Sequence, residues 1–156
     1  MLVKLLSVFL LSMVPLIELR GAVILGYGMG LEWLVTYIVS VVGNILPVPF
    51  ILLFVRAVFK FMKKCGGKLE RIALKIEEKG IRQSDKVTKY ATFGLFIFVA
   101  IPLPGTGAWT GSLIASLLNM RFRNAFLSVV AGVLCAGLIM TLACYGLIGG
   151  LAFLFG

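Results

Sequence analysis

Two ionisable residues, Glu18 and Arg20, stand two positions apart in sequence that is otherwise uncharged from Leu5 to Leu31. At the centre of a membrane segment a charge costs about 2.5–3.5 kcal/mol on the insertion scale, so such groups are read first as ligand- or proton-binding. The competing reading is structural: Glu18 and Arg20 pair with each other or with backbone to stabilise a bend, or they lie at the membrane interface. A second locus is Pro102-Leu103-Pro104-Gly105-Thr106-Gly107, followed by Ala108-Trp109. Pro and Gly break a helix there and release backbone groups. Thr106 is placed to cap the helix that follows, whose first N–H groups would face a ligand. Trp109 is either an interfacial anchor or a wall of the site. The competing reading of this run is a tight turn at the membrane surface. Asn44 adds an amide within an apolar run.

These residues need membrane elements to hold them. Tyr90–Met120 is 31 residues without a charge, interrupted by the Pro/Gly run. Its two arms, Tyr90–Ile101 and Ala108–Met120, would rise only about 18 and 20 Å as helix. A hydrocarbon core is about 30 Å thick and takes roughly 20 apolar residues to cross. The two arms therefore predict a re-entrant hairpin, with Pro102–Gly107 buried at depth. Leu2–Ile17 and Ala22–Leu31 are likewise short, and Glu18-Leu19-Arg20-Gly21 interrupts them. Trp33–Val55 is 23 uncharged residues, long enough to span, with Pro47 and Pro49 predicting a kink. Asn124–Gly156 is 33 uncharged residues, enough for one span and a tail. Short helix, break, short helix and full span thus occur twice. Pro15-Leu16 matches Pro102-Leu103, Gly21-Ala22 matches Gly107-Ala108, and Ser40-Val41-Val42 matches Ser128-Val129-Val130, at offsets of 86 to 88 residues between the halves.

Composition agrees. The chain is 61% hydrophobic and 13% charged, with mean hydropathy +1.11, which indicates an integral membrane protein of one domain over 1–156. The net charge of +9 is not spread evenly. Eleven of the fifteen Lys and Arg fall in 56–89, which marks that loop as cytoplasmic and argues against nucleic acid. With the loop inside, Glu32 lies outside with Lys4, and Arg121 and Arg123 lie inside. Repeat 1 (about 1–55) and repeat 2 (about 90–156) are then inverted, the plan of many secondary transporters. Within the loop, Leu69, Ile72, Ala73 and Ile76 follow helical spacing. They predict an amphipathic surface helix over Lys68–Lys79, on lipid headgroups or in solvent.

Other classes find little support. There is no His, no metal-ligand spacing and no Gly-x-Ser-x-Gly elbow, so neither an enzyme nor a cofactor or metal site is expected. Cys65, Cys135 and Cys144 read as small apolar residues. Gly26, Gly28 and Gly30 read as helix-packing positions, not a phosphate loop. Lys4 and Leu5–Val14 resemble the start of a signal peptide, but no small-residue cleavage site follows, so a retained segment is expected.

Three blocks carry a resemblance over nearly the whole chain: Pro15-Leu16-Ile17-Glu18-Leu19-Arg20-Gly21-Ala22, Gly43-Asn44-Ile45-Leu46-Pro47-Val48-Pro49-Phe50, and Ile101-Pro102-Leu103-Pro104-Gly105-Thr106-Gly107-Ala108-Trp109-Thr110-Gly111. Together they resemble the small multidrug export proteins of prokaryotes. The resemblance implies a plasma-membrane protein and drug export. The four-helix small multidrug resistance transporters differ, because they lack these breaks and the basic loop. A distant similarity to DedA-type membrane proteins implies lipid-carrier transport. The expectation is a small secondary transporter of a small or amphipathic substrate. Its binding residues would be Glu18, Arg20, Asn44, Pro102, Pro104, Gly105, Thr106, Gly107 and Trp109. The alternatives are a lipid or lipid-phosphate translocase and a non-transporting membrane scaffold. Membrane lipids are expected partners, and the small amount of protein around two hairpins suggests a homodimer.

Overall fold

The computed structural model describes residues 1–82 and 86–148, leaving aside the side chains of 69, 76–82, 86–89 and 147–148. The described residues are helical, with no strand among them. The order is α1 (Leu2–Met13), α2 (Glu18–Gly28), α3 (Trp33–Ile45), α4 (Pro47–Cys65), α5 (Gly67–Arg82), α6 (Lys86–Ala100), α7 (Ala108–Leu117) and α8 (Phe122–Thr141). A π-helical segment, Leu142–Ile148, continues α8.

Two helical paths are long and apolar enough to cross a membrane, Trp33–Cys65 with 33 residues and Phe122–Gly146 with 25. The first joins α3 to α4 through Leu46, whose φ −53° and ψ −45° are helical. Pro47 and Pro49 have no N–H to donate, so the regular ladder is interrupted there, where the sequence predicts a kink. At 1.5 Å per residue this path rises about 50 Å, more than the roughly 30 Å hydrocarbon core.

The basic segment is therefore not mainly loop. Arg56–Cys65 continues α4, and α5 occupies much of the rest. Lys and Arg are good helix formers, and no breaker intervenes before Gly66 and Gly67, which take φ +69° and +70°. The expected amphipathic helix is α5, with Ala73 buried and Ile72 and Leu74 about half-exposed. The expected positions Leu69 and Ile76 lie outside the described side chains, as 149–156 lies outside the described residues.

The first break is also shifted. Glu18–Gly21 is the first turn of α2, and the interruption is Val14–Ile17. Pro15 lies there, two residues beyond the last helical residue of α1.

The short helices pack on the long ones. α1 packs on α2 and α3, α6 and α7 pack on α8, and α3 packs on α8. Two of these contacts are built alike. A Cβ on Gly43 would stand 2.7 Å from the Phe9 carbonyl oxygen, and one on Gly132 would stand 3.0 Å from that of Phe96. Only glycine lets those backbones approach so closely. Two turns also match. α2 ends with Gly30 at φ +67° and α7 with Asn119 at φ +51°. The N–H groups of Leu31 and Met120 then reach back to the Gly26 and Ala115 carbonyls at 3.0 Å each, the six-to-one bond of a Schellman cap. Leu31 and Met120 are both buried.

The core between the helices holds Leu19, Val23, Val48, Leu52, Val99, Val129 and Val133. Outside it, Leu10, Ile38, Phe50, Phe54, Phe93, Leu127 and Leu138 are half-exposed or more. In water so much apolar surface would drive aggregation; in a bilayer it is the surface that meets solvent.

Candidate functional site

The site begins with an unusual backbone. After the exposed turn Val14–Ile17, Glu18 opens α2 at φ +51°. A non-glycine residue in that region carries strain that the surroundings must hold in place. Glu18 is only 4% exposed, so its carboxylate also needs partners. The partners come from the second break. Gly107 is the N-cap of α7 and has no side chain to offer. The Glu18 Oε1 atom accepts the Trp109 N–H at 3.3 Å instead. Trp109 is the second residue inside α7, the position a capping side chain serves. Glu18 thus caps α7 from another part of the chain, and the partial positive charge of that helix start favours a carboxylate there. A Cβ on Gly107 would overlap the Glu18 carboxylate.

Arg20 turns to the same break. Its Nη2 donates to Thr106 Oγ1 at 2.8 Å. The Thr106 hydroxyl lies 2.7 Å from the Ile101 carbonyl and 2.9 Å from that of Leu103. It has one proton, so it donates to one of these and accepts from Arg20. It also accepts the Leu103 N–H at 3.3 Å. Thr106 therefore closes its own turn and anchors Arg20; it does not cap α7, because Gly107 holds the N-cap position. Glu18 and Arg20 are close enough for their charges to attract, but neither spends its hydrogen bond on the other. Each reaches across to the 106–109 segment.

Asn44 completes the cluster. It is 2% exposed, and its Oδ1 has no hydrogen-bond partner. Glu18, Arg20, Asn44 and Gly107 line one small cavity, walled by Leu19, Val99, Ala108, Val133 and Ala136. Its volume is about 10 Å³, near the least that admits a single water. Trp109 is half-buried, and its indole N–H donates to the Met13 carbonyl at 3.0 Å. That carbonyl belongs to the last turn of α1, where no intrahelical donor remains.

Six of the nine residues singled out from sequence thus converge: Glu18, Arg20, Asn44, Thr106, Gly107 and Trp109. Pro102, Pro104 and Gly105 do not line the cavity. Pro102 is half-buried, Pro104 and Gly105 are exposed, and Gly105 turns the chain at φ +83°. The expectation that all of Pro102–Gly107 is buried is corrected: the tip of the break faces outward and only its end, Gly107, is enclosed. The first break does the same, with Leu16 95% exposed and Glu18 buried.

Sequence reading missed a second polar group. Tyr145 donates to the Leu31 carbonyl at 2.8 Å, so Thr36, 2.8 Å from the same hydroxyl, must donate to Tyr145. Arg56 donates through Nη2 to the Met120 carbonyl. Nothing local in the sequence announces either bond, since the partners lie 114 and 64 residues apart. No group of three or more His, Cys, Asp or Glu is placed to hold a metal among the described residues.

A family model described as "Putative small multi-drug export protein" matches residues 18–139. The match opens on Glu18 and spans every residue that lines the cavity. No curated protein matches the chain, and no solved structure does.

Proposed function

We propose that this chain, which belongs to the small multi-drug export protein family, is a secondary transporter whose substrate site is the cavity between its two breaks. One observation carries the reading: a buried carboxylate, a guanidinium and an unpartnered amide oxygen surround one small cavity where two interrupted segments meet. Intramembrane ionisable groups mark substrate and ion pathways, and facing helix breaks are where transporters bind. In this reading the cavity is a closed state. Opening it requires Arg20 to leave Thr106 or Glu18 to leave Trp109, and a substrate with complementary polar groups offsets that loss. A small or amphipathic substrate suits an apolar wall with few polar contacts.

The reading includes inverted repeats with re-entrant hairpins α1–α2 and α6–α7. Support comes from pairs that recur 89 residues apart: Gly43 with Gly132, Gly30 with Asn119, and Leu31 with Met120. This register is one residue beyond the Ser40–Ser128 match. The reciprocal bonds agree, because Arg56 to Met120 and Tyr145 to Leu31 exchange under the same offset. Lys4 donating to the Met29 carbonyl at 2.6 Å brings the outer ends of α1 and α2 together, as a hairpin entering and leaving one face requires. In the bilayer the exposed break tips 14–17 and 101–105 need water or protein around them, and a second copy of the chain supplies it.

The test is ethidium movement by purified protein in liposomes. Glu18→Gln and Arg20→Gln should each slow it by about tenfold or more, the rate equivalent of about 1.4 kcal/mol, while the proteins still insert and elute as the wild type does. A well-folded double variant that transports at the wild-type rate removes the site.

A further inference from the structure

A second cavity lies at the far end of α4, away from the Glu18 cluster. It is about 160 Å³ and is formed by α4, α5 and α7. Arg56, Lys60 and Lys63 line it from α4, Asn119 from the end of α7 and Ala73 from α5. The three cations recur at intervals of four and three residues, so they form one stripe along α4. No acidic residue lines the cavity among the described residues. Arg56 already donates to the Met120 carbonyl, which fixes its guanidinium at the cavity wall. The setting is amphipathic. Leu53 lies on the neighbouring α4 face and is 57% exposed, with Phe54 and Phe61 at 70% and 67% beyond it. By length, Arg56 stands about 34 Å along the Trp33–Cys65 path, where a hydrocarbon core of about 30 Å gives way to headgroups.

We propose that this cavity binds the phosphate group of an anionic lipid, with the cations on the phosphate and the acyl chains along the exposed apolar face of α4. Basic pockets between membrane helices suit such headgroups, and an Arg beside a phosphate adds directional hydrogen bonds that Lys alone does not. The proposal is independent of transport at the Glu18 site.

The test is native mass spectrometry of the full-length protein released from detergent with phosphatidylglycerol or phosphatidylcholine added. Wild type should retain phosphatidylglycerol preferentially, and Lys60→Gln/Lys63→Gln should reduce that retention by about thirtyfold, the scale of two lost basic contacts near a membrane surface. Lys64→Gln/Arg71→Gln removes the same charge from exposed positions outside the cavity and should retain lipid as wild type does. Equal losses in the two double variants, or equal retention of both lipids by wild type, overturn the proposal. Addition of inorganic phosphate separates the sources of the group. Retention unaffected by millimolar phosphate supports the lipid, and displacement by it overturns the lipid in favour of a free anion.

Discussion

Gly107 has no side chain where the Glu18 carboxylate occupies the space a Cβ would take. Gly107→Ala should therefore lower stability by about 1–3 kcal/mol, the usual cost of overpacking, read as thermal unfolding in detergent. The same substitution in a Glu18→Ala background should cost less, with a coupling of about 0.5–3 kcal/mol between neighbours. An equal cost in both backgrounds would show that the carboxylate does not fill that space. Glu18→Gln alone keeps an acceptor for the Trp109 N–H, so it should change stability little while it slows transport. A residue holding only a bend would show the opposite pattern. Much of this cluster was legible as residue types, because a charge, an amide or a Pro/Gly run in apolar sequence is local information. The pairing was not. Glu18 and Arg20 invite an ion pair at two residues' separation, yet their hydrogen-bond partners lie 91 and 86 residues away. Only the fold brings those partners near.

At the scale of elements, the short helices were readable from length, since neither arm of either interrupted segment reaches across a hydrocarbon core. The basic segment was misread because charge density resembles loop composition, whereas Lys and Arg cost a helix almost nothing. The packing contacts make a sharper claim. Gly43 and Gly132 each seat a short helix against a long one through a backbone carbonyl. Gly43→Ala and Gly132→Ala should both destabilise, by about 1–3 kcal/mol each. Gly94 is the control: it sits within α6, exposed, with open space where a Cβ would go. Gly94→Ala should be neutral or stabilise by up to about 1 kcal/mol from helix propensity. Thermal unfolding of the three variants in one detergent compares them. If Gly94→Ala destabilises as much as the other two, close backbone approach is not the reason glycine stands at 43 and 132.

For the whole molecule, the reciprocal bonds sort the chain into two ends. Arg56, Met120 and the cationic stripe of α4 belong to one, and Leu31, Tyr145, Met29 and Lys4 to the other. Glu32 follows Leu31, and Arg121 follows Met120. The two residues are thus assigned opposite ends of the molecule by contacts that do not involve either side chain. The topology we propose puts them on opposite faces of the membrane by an unrelated argument, the expected excess of Lys and Arg on the cytoplasmic side. The measurement uses a background without Cys65, Cys135 and Cys144, single cysteines at Glu32 and Arg121, and a thiol reagent that does not cross the membrane. In intact cells Glu32→Cys should be labelled and Arg121→Cys protected, with both labelled after permeabilisation. The order matters as well as the difference. Labelling of Arg121→Cys alone would keep the two ends but reverse the molecule, and would break the link between the basic α4–α5 region and the cytoplasm. Labelling of both from one side would place Leu31 and Met120 on a common face. The 89-residue correspondence would then be a likeness of packing without inversion, and the cavity at Glu18 would lose its place between two opposed hairpins.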